Sequence, residues 1–220
     1  MSKKQNDSFP ICRISWVLFI WMCFSNMSIA QQKPVLQKGD FLFLDLDCGG
    51  LCDAIEAVTE GASGKDFSHL GMVCSQGDSL MVLEAIGNSV RLSRVSSFLA
   101  YTKKPALLAR LKPAFQNLIP TAETFGLSLL GMPYDDAFLP ENGKYYCSEL
   151  VYDAFKKANA GKPFFQNSPM TFRKPGSQEF FPVWVEYYQK LGVDIPEGKE
   201  GCNPGGISRA PELEILGNYP

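Results

Sequence analysis

The 220-residue sequence contains a single histidine, His69. A metal site built from several imidazoles is therefore excluded, and any imidazole-dependent chemistry must use this residue. The chain also lacks a basic excess. Its formal net charge is −2, so a nucleic-acid binder that relies on a positive face is not expected. No glycine repeat or low-complexity tract is present and 45% of the residues are hydrophobic, which indicates an ordinary globular domain.

Long apolar runs are absent except for one stretch near the amino terminus. This stretch, Ile14 to Phe24, is shorter than the ~20 residues that a comfortable membrane-spanning helix needs. It follows a positively charged segment and is followed by the small-residue sequence Ser28-Ile29-Ala30. This order predicts a secretory signal peptide over residues 1–30 and a mature chain that begins at Gln31. An uncleaved membrane anchor is the alternative.

Cleavage after residue 30 would leave one domain, residues 31–220, in the periplasm or outside the cell. We expect no stable membrane insertion of that domain once the signal peptide has been removed.

Five of the seven cysteines follow residue 30, namely Cys48, Cys52, Cys74, Cys147 and Cys202. That number is too small for a disulfide-framework protein. Because it is odd, at least one thiol lacks an intramolecular partner and is a candidate reactive group. Cys48 and Cys52 are expected to form a local disulfide or to be two free thiols. Their surroundings do not suit a zinc site, and no metal or organic cofactor is expected.

Hydrophobic periodicity predicts short strands alternating with helices. The predicted strands are residues 41–44, 69–74, 80–86, 90–95, 106–111 and 213–216. The predicted helices are residues 51–60, 122–130, 146–160 and 180–191. A turn at Gln76-Gly77-Asp78 joins the second and third strands in a hairpin. A meander of strands with inserted helices indicates an α+β fold, with a small antiparallel sheet or a partly open barrel, rather than a doubly wound parallel sheet.

Cys147 lies in the first turn of the predicted helix 146–160. The free N–H groups and partial positive charge of a helix N-terminus favour a thiolate nucleophile, and the same N–H groups can hold an oxyanion. A small buried residue at a helix start is the alternative interpretation. Glu149 in the same turn suits the helix dipole and is interpreted as structural.

His69 begins a strand, and alternation places it on one face with Gly71 and Val73. The absent side chain at Gly71 is expected to leave open space for a substrate cleft. Glu84 interrupts the apolar run of the returning strand and needs a polar partner. A turn around Gly77 brings residues 69–71 opposite residues 84–86, so Glu84 is expected to hydrogen-bond His69. The alternatives are a structural histidine and a Glu84 carboxylate that faces water.

Several segments together resemble the permuted papain-like amidases of the YiiX/YaeF type, circularly permuted relatives of the NlpC cell-wall peptidases. The segments are Gly39-Asp40, residues 67–73, residues 82–85, Pro133-Tyr134-Asp135 and residues 146–151. The histidine precedes the cysteine, which is the order of the permuted group, and the resemblance covers roughly residues 39 to 160. It implies a papain-like cysteine hydrolase fold in which the helix that carries the nucleophile packs against the sheet.

The resemblance further implies Cys147 as nucleophile, His69 as general base and Glu84 as the residue that orients His69. The expected reaction is cleavage of an amide or ester, with the Cys147 N–H and Tyr146 at the oxyanion. Export and the NlpC kinship suggest cell-wall peptides as substrate. A lipid amide, acyl transfer and a non-catalytic binding module stay open as alternatives. The expected partner is therefore a small-molecule, peptide or lipid amide, without nucleic acid or metal.

Overall fold

A six-stranded antiparallel sheet forms the centre of the computed structural model, which describes residues 34–220. Its strands are β1 (Phe41–Leu44), β2 (His69–Gln76), β3 (Ser79–Ile86), β4 (Ser89–Arg94), β5 (Ala106–Leu111) and β8 (Leu213–Tyr219). Two further strands, β6 (Ser168–Pro169) and β7 (Glu200–Gly201), form a separate ribbon. The predicted signal peptide and its cleavage site lie outside the described residues.

The strand order in the main sheet is β4-β3-β2-β1-β5-β8, and β4 and β8 are its two edges. The sheet is therefore open rather than closed into a barrel, and every pairing in it is antiparallel. This agrees with the predicted α+β fold with a small antiparallel sheet.

Six α-helices surround the sheet in the described part of the chain. They are α1 (Gly50–Glu56), α2 (Val95–Leu99), α3 (Ile119–Ser128), α4 (Cys147–Ala158), α5 (Pro182–Leu191) and α6 (Pro204–Ser208). The four predicted helices correspond to α1, α3, α4 and α5, whereas the two five-residue helices α2 and α6 were not predicted. Helices that short carry too little periodicity to be recognised in the sequence.

The hairpin of β2 and β3 has the predicted turn, because Gln76 pairs with Ser79 and only Gly77 and Asp78 connect the strands. Gly77 has φ +57°, a conformation that glycine adopts without the penalty of a Cβ atom. The register then pairs Met72 with Leu83.

The two faces of the sheet are covered by different helices. Leu70, Met72 and Cys74 of β2 belong to the larger core, together with the apolar residues of α4. Val73 belongs to the opposite core, together with Phe98 of α2. The alternation predicted for β2 is confirmed, and Cys74 is a buried core residue. In residues 34–220, no helix is long and apolar enough to cross a membrane.

A third cluster joins α1 to α5 through Ala54, Trp184 and Tyr188. Cys48 and Cys52 form a disulfide, the first of the two expected possibilities, and it ties the loop after β1 to α1. No side chain caps the N-terminus of α1. The disulfide restrains the beginning of this helix covalently.

Candidate active site

His69 and Glu84 are joined by a hydrogen bond between adjacent strands. The His69 Nε2 atom lies 2.7 Å from Glu84 Oε2, and the two residues are only 3% and 0% exposed. The contact follows from the register, because continuation of the Met72–Leu83 pairing places Glu84 on the same face as His69, diagonally across the hairpin. The expected hydrogen bond is confirmed.

Glu84 is surrounded by donors from three elements. Ser93 of β4 and Tyr101, which follows α2, both donate to Glu84 Oε1, and Arg91 Nε lies 3.5 Å from the same oxygen. Burial raises the pKa of Glu84, but the hydrogen bonds from His69, Ser93 and Tyr101 outweigh burial and leave the pKa below its ordinary value. Glu84 is therefore held as a carboxylate.

Ser93, Tyr101 and Arg91 were not identified from the sequence, although a signal for two of them exists. The β3–β4 turn at residues 87–88 places Arg91 directly opposite Glu84, and Ser93 opposite Val82 on the same face. The register of the β3–β4 hairpin is thus the sequence signal for these two residues.

Cys147 is the first residue of α4, and it lies beside His69. Tyr146, the N-cap residue, is extended (φ −91°, ψ 169°), so the helix and its free N–H groups begin at Cys147. Burial lowers the pKa of His69, but hydrogen bonds to Cys147 and Glu84 outweigh it and raise the pKa to about 9. Because Nε2 faces Glu84, Nδ1 is the ring nitrogen left for Cys147. The three residues predicted as a triad therefore lie together, in the order Cys147, His69, Glu84.

Gly71 does not provide open space, and this expectation is wrong. A Cβ atom added at Gly71 would lie 2.3 Å from Val82 Cγ1 and 2.9 Å from Phe98 Cε2. The glycine instead allows Phe98 of α2 to approach the sheet, where its ring packs 5.4 Å from the His69 ring. Gly71 therefore allows Phe98 to pack against the His69 ring, and the substrate cleft lies elsewhere.

Tyr146 is placed next to Cys147, but its hydroxyl is engaged elsewhere. The hydroxyl accepts a hydrogen bond from the Cys202 N–H (3.2 Å) and lies 3.7 Å from Cys202 Sγ. Ser148 Oγ donates to the Cys202 carbonyl. Tyr146 thus ties the beginning of α4 to the segment before α6, and its predicted place at the oxyanion stays a prediction. Cys202 is buried, which raises the pKa of its thiol to about 12.

A cavity of ≈ 140 Å³ opens beside Cys147. Its walls come from α1, α5, the β6–β7 ribbon and the loop after Pro133. The large apolar side chains that line it are Ile55, Val58, Phe138, Met170, Phe172 and Trp184. None of the described residues that line it is charged. Residues 168–172, which form one wall, gave no sequence signal because their only regular structure is a two-residue strand.

Tyr134 also lines this cavity and was not predicted to have a role. Its backbone is fixed by a bridge to Tyr145, just before α4. Burial and the nearby charge of Cys147 raise the pKa of Tyr134 well above the ordinary tyrosine value. Its phenol therefore stays protonated and can donate a hydrogen bond beside the sulfur. Within residues 34–220, no group of three or more His, Cys, Asp or Glu side chains is arranged to hold a metal ion.

Residues 35–217 match the profile of the C92 peptidase family, described as permuted papain-like amidase enzymes of the YaeF/YiiX type. The chain belongs to this family. The family is one of amidases, and it implies a small-molecule or peptide substrate. The resemblance stated from the sequence segments is confirmed.

Two relatives from Escherichia coli illustrate the family. The uncharacterized protein YiiX of strain K12 is 26% identical over 186 residues, which cover 82% of this chain and 85% of that protein. A crystal structure described as metalloprotein yiiX, from strain O157:H7, superposes with a TM-score of 0.65. The match covers 84% of this chain and 98% of the other at 22% identity, and it shows a shared fold.

Proposed function

We propose that this chain is a thiol hydrolase that cleaves an amide or ester bond with Cys147, His69 and Glu84. The supporting observation is that His69 Nε2 lies 2.7 Å from the Glu84 carboxylate while the imidazole lies beside Cys147, the first residue of α4. A His69 pKa of about 9 means that the imidazolium form predominates at neutral pH. In the proposed mechanism this imidazolium pairs with a Cys147 thiolate, as in activated cysteine nucleophiles.

The reaction begins when the Cys147 thiolate attacks the substrate carbonyl carbon. Negative charge then develops on the carbonyl oxygen, where the Cys147 N–H and the Tyr134 phenol are the proposed donors. The His69 imidazolium gives its proton to the leaving amine or alcohol as the bond to carbon breaks, which leaves an acyl-thioester. Neutral His69 then takes a proton from water as the water attacks the thioester, and the acid and the thiolate are regenerated.

Glu84 acts through His69 in this proposal. It fixes the ring with Nδ1 toward the sulfur and stabilises the imidazolium. Its own position is fixed by Ser93 and Tyr101.

Two substrate classes follow from different observations. The first class, cell-wall peptides, is suggested by the predicted export and by the kinship with the NlpC peptidases. The uncharged, largely apolar cavity beside Cys147 favours the second class, an amide or ester of a fatty acyl group, because acidic peptide substrates need cationic partners that the cavity lining does not offer. Acyl transfer differs only in that an alcohol or amine replaces water in the second step.

Export of the mature chain is part of the proposal. The Cys48–Cys52 disulfide supports it, since disulfides persist in the periplasm and outside the cell and are rare in the cytosol. The signal peptide predicted over residues 1–30 would direct it there, and N-terminal sequencing of protein recovered from the host tests cleavage before Gln31.

Thiol labelling tests the mechanism before a substrate is known. Iodoacetamide should alkylate Cys147 rapidly at about pH 6, and mass spectrometry should resolve each cysteine. Cys74 and Cys202 are internal controls, because burial raises the pKa of each to about 12. His69→Ala should slow the alkylation of Cys147 at this pH to a rate typical of an ordinary thiol. Equal alkylation of Cys147 in the wild type and His69→Ala would contradict the ion pair and favour a binding module.

A chain-length series distinguishes the substrates. Nitrophenyl esters and anilides with acyl chains of increasing length are compared with muropeptides, using Cys147→Ala as the inactive control. A rise in kcat/KM with chain length supports the acyl substrate. Hydrolysis of muropeptides alone supports the cell-wall substrate.

A further inference from the structure

A second, smaller cavity lies on the other side of Tyr146 and Cys202. It encloses ≈ 70 Å³, and these two residues line both cavities. Helix α4 provides one wall of the second cavity through Glu149 and Asp153, which are one helical turn apart. Strand β7 lines the same cavity through Glu200 and Gly201, and so does Asn167, the residue before β6. We refer to this space as the acidic pocket.

Two buried oxygen acceptors in the lining of the acidic pocket are unsatisfied. Glu149 is only 6% exposed, and its Oε2 atom has no hydrogen-bond partner in the described part of the chain. The same holds for Oδ1 of Asn167, which lines the same cavity. Buried polar atoms without a partner are rare in folded proteins, so two of them lining one cavity indicate a missing donor.

The charge of the lining indicates that this donor is a cation. Carboxyl groups come from Glu141, Glu149, Asp153 and Glu200, whereas Lys156 is the one basic residue of the lining. The Lys156 ammonium lies 3.9 Å from Glu141 Oε1, at the exposed rim. A water molecule could satisfy these acceptors, whereas a cation would also stabilise the carboxylate form of Glu149 beside the other acidic groups of the lining.

We infer that the acidic pocket binds a primary ammonium group, which donates hydrogen bonds to Glu149 Oε2 and Asn167 Oδ1. A metal ion fits less well, because no three acidic, imidazole or thiol side chains in residues 34–220 are arranged around one point. An ammonium ion needs only a few oxygen acceptors and one counter-charge, and the volume suits a small amine. The bound cation would connect α4 to the ribbon that also forms a wall of the apolar cavity.

The ionisation of Glu149 agrees with this assignment. Burial and the neighbouring Asp153 and Asp135 carboxylates raise its pKa to about 8, although backbone N–H groups of Tyr146 and Glu141 oppose the rise. Glu149 is therefore mostly protonated at neutral pH while the pocket is empty. An ammonium ion would favour the carboxylate, so binding should release a proton.

Isothermal titration with methylammonium chloride tests the site without any assay of activity. The full-length protein is titrated at pH 7 in two buffers that differ in ionisation enthalpy. We expect saturable binding with release of most of one proton per site. At a tenfold excess over Kd, methylammonium should also raise the Tm by ~3–6 °C. Tetramethylammonium chloride at equal ionic strength is the control, because it has the same charge but no N–H donor.

Three variants test whether methylammonium binds in the acidic pocket, and a fourth is the control. Glu149→Gln and Asn167→Leu should each abolish proton-linked binding, and together they test both walls of the pocket. Lys156→Gln should strengthen binding, because it removes a competing cation. Glu186→Gln changes an exposed carboxylate of α5 and should bind like the wild type. The inference is overturned if methylammonium and tetramethylammonium act alike, if calcium or magnesium binds in its place, or if Glu149→Gln binds unchanged.

Discussion

Glu84, which contacts His69, and Glu149, in the first turn of α4, are both buried carboxyl groups. Their pKa values are shifted in opposite directions. Burial raises the pKa of both groups. For Glu84, the hydrogen bonds from His69, Ser93 and Tyr101 outweigh burial and lower the pKa. In Glu149 burial dominates, one oxygen lacks a partner, and the pKa rises to about 8. The comparison shows that the donors around a buried carboxyl group, rather than its depth, decide whether it is charged.

The two environments have different structural origins. Glu84 lies within an antiparallel sheet, where the register brings side chains from β2, β3 and β4 to one face. Glu149 lies on a helix that faces a cavity, and its donors are the backbone N–H groups of Tyr146, the N-cap residue, and of Glu141 in the preceding loop. The orienting role proposed for Glu84 uses the first kind of environment, and the ligand contact proposed for Glu149 uses the second.

The largest expected effect is the loss of activity when Glu84, the residue proposed to position His69, is replaced. Glu84→Gln keeps the shape but loses the charge that stabilises the imidazolium, so kcat/KM for the substrate found in the chain-length series should fall by ~10²–10⁴. Steady-state kinetics check this, with Glu186→Gln as the matched substitution at an exposed site. Equal rates for Glu84→Gln and the wild type would remove Glu84 from the mechanism.

The next effect is the pH dependence of stability caused by Glu149. Its pKa is raised from 4.5 to about 8 on folding, so it stabilises the fold below pH 4.5 and this contribution is lost as the pH rises through 8. The loss should be on the order of 3–5 kcal/mol between these values. Urea unfolding of the wild type and Glu149→Gln at pH 5 and pH 8.5 checks it. Parallel pH dependences of the two proteins would contradict the assignment.

A smaller effect is expected at Gly71. Gly71→Ala forces Val82 and Phe98 away from the His69–Glu84 pair and should destabilise the protein by ~1–3 kcal/mol, with a lower rate of Cys147 alkylation. The control is Gly50→Ala in α1, where the new Cβ would meet only Val183 at 3.9 Å. That substitution should be neutral or slightly stabilising. Thermal unfolding separates the two variants, and equal Tm values would refute the supporting role of Gly71.

The smallest effect should come from removing one donor of Glu84. Tyr101→Phe deletes a hydroxyl that lies 2.8 Å from Glu84 Oε1 and should reduce stability by about 1 kcal/mol. Tyr187→Phe removes a hydroxyl that donates to the Asp136 carbonyl and serves as the control outside the network. If Tyr101→Phe leaves both the stability and the acidic limb of the alkylation profile unchanged, the hydroxyl does not help to keep Glu84 charged.

Much of the triad geometry could be predicted, because it depends on local structure. A two-residue turn at Gly77 fixes the register of a hairpin, and the register places Glu84 beside His69. The helix that starts at Cys147 was visible from its apolar spacing. The contact between Cys147 and His69 is non-local, and only the resemblance to the permuted amidases suggested it.

The sequence could not predict features made by irregular segments. Phe98 fills the space at Gly71 from a five-residue helix, and the ribbon at residues 168–169 forms a cavity wall with two residues. Tyr134 is placed beside Cys147 by a single bridge to Tyr145. Such positions follow from tertiary packing and leave no periodic pattern in the chain.

Because the sequence has one histidine, His69 can be observed selectively by NMR. A sample grown on ¹⁵N-histidine would give one set of imidazole resonances, all of them from the ring between Cys147 and Glu84. The two nitrogen shifts would show directly which ring atom carries each proton, without any assignment by mutagenesis. Tautomer, titration and ligand arrival could then be followed in the intact protein from a single pair of signals.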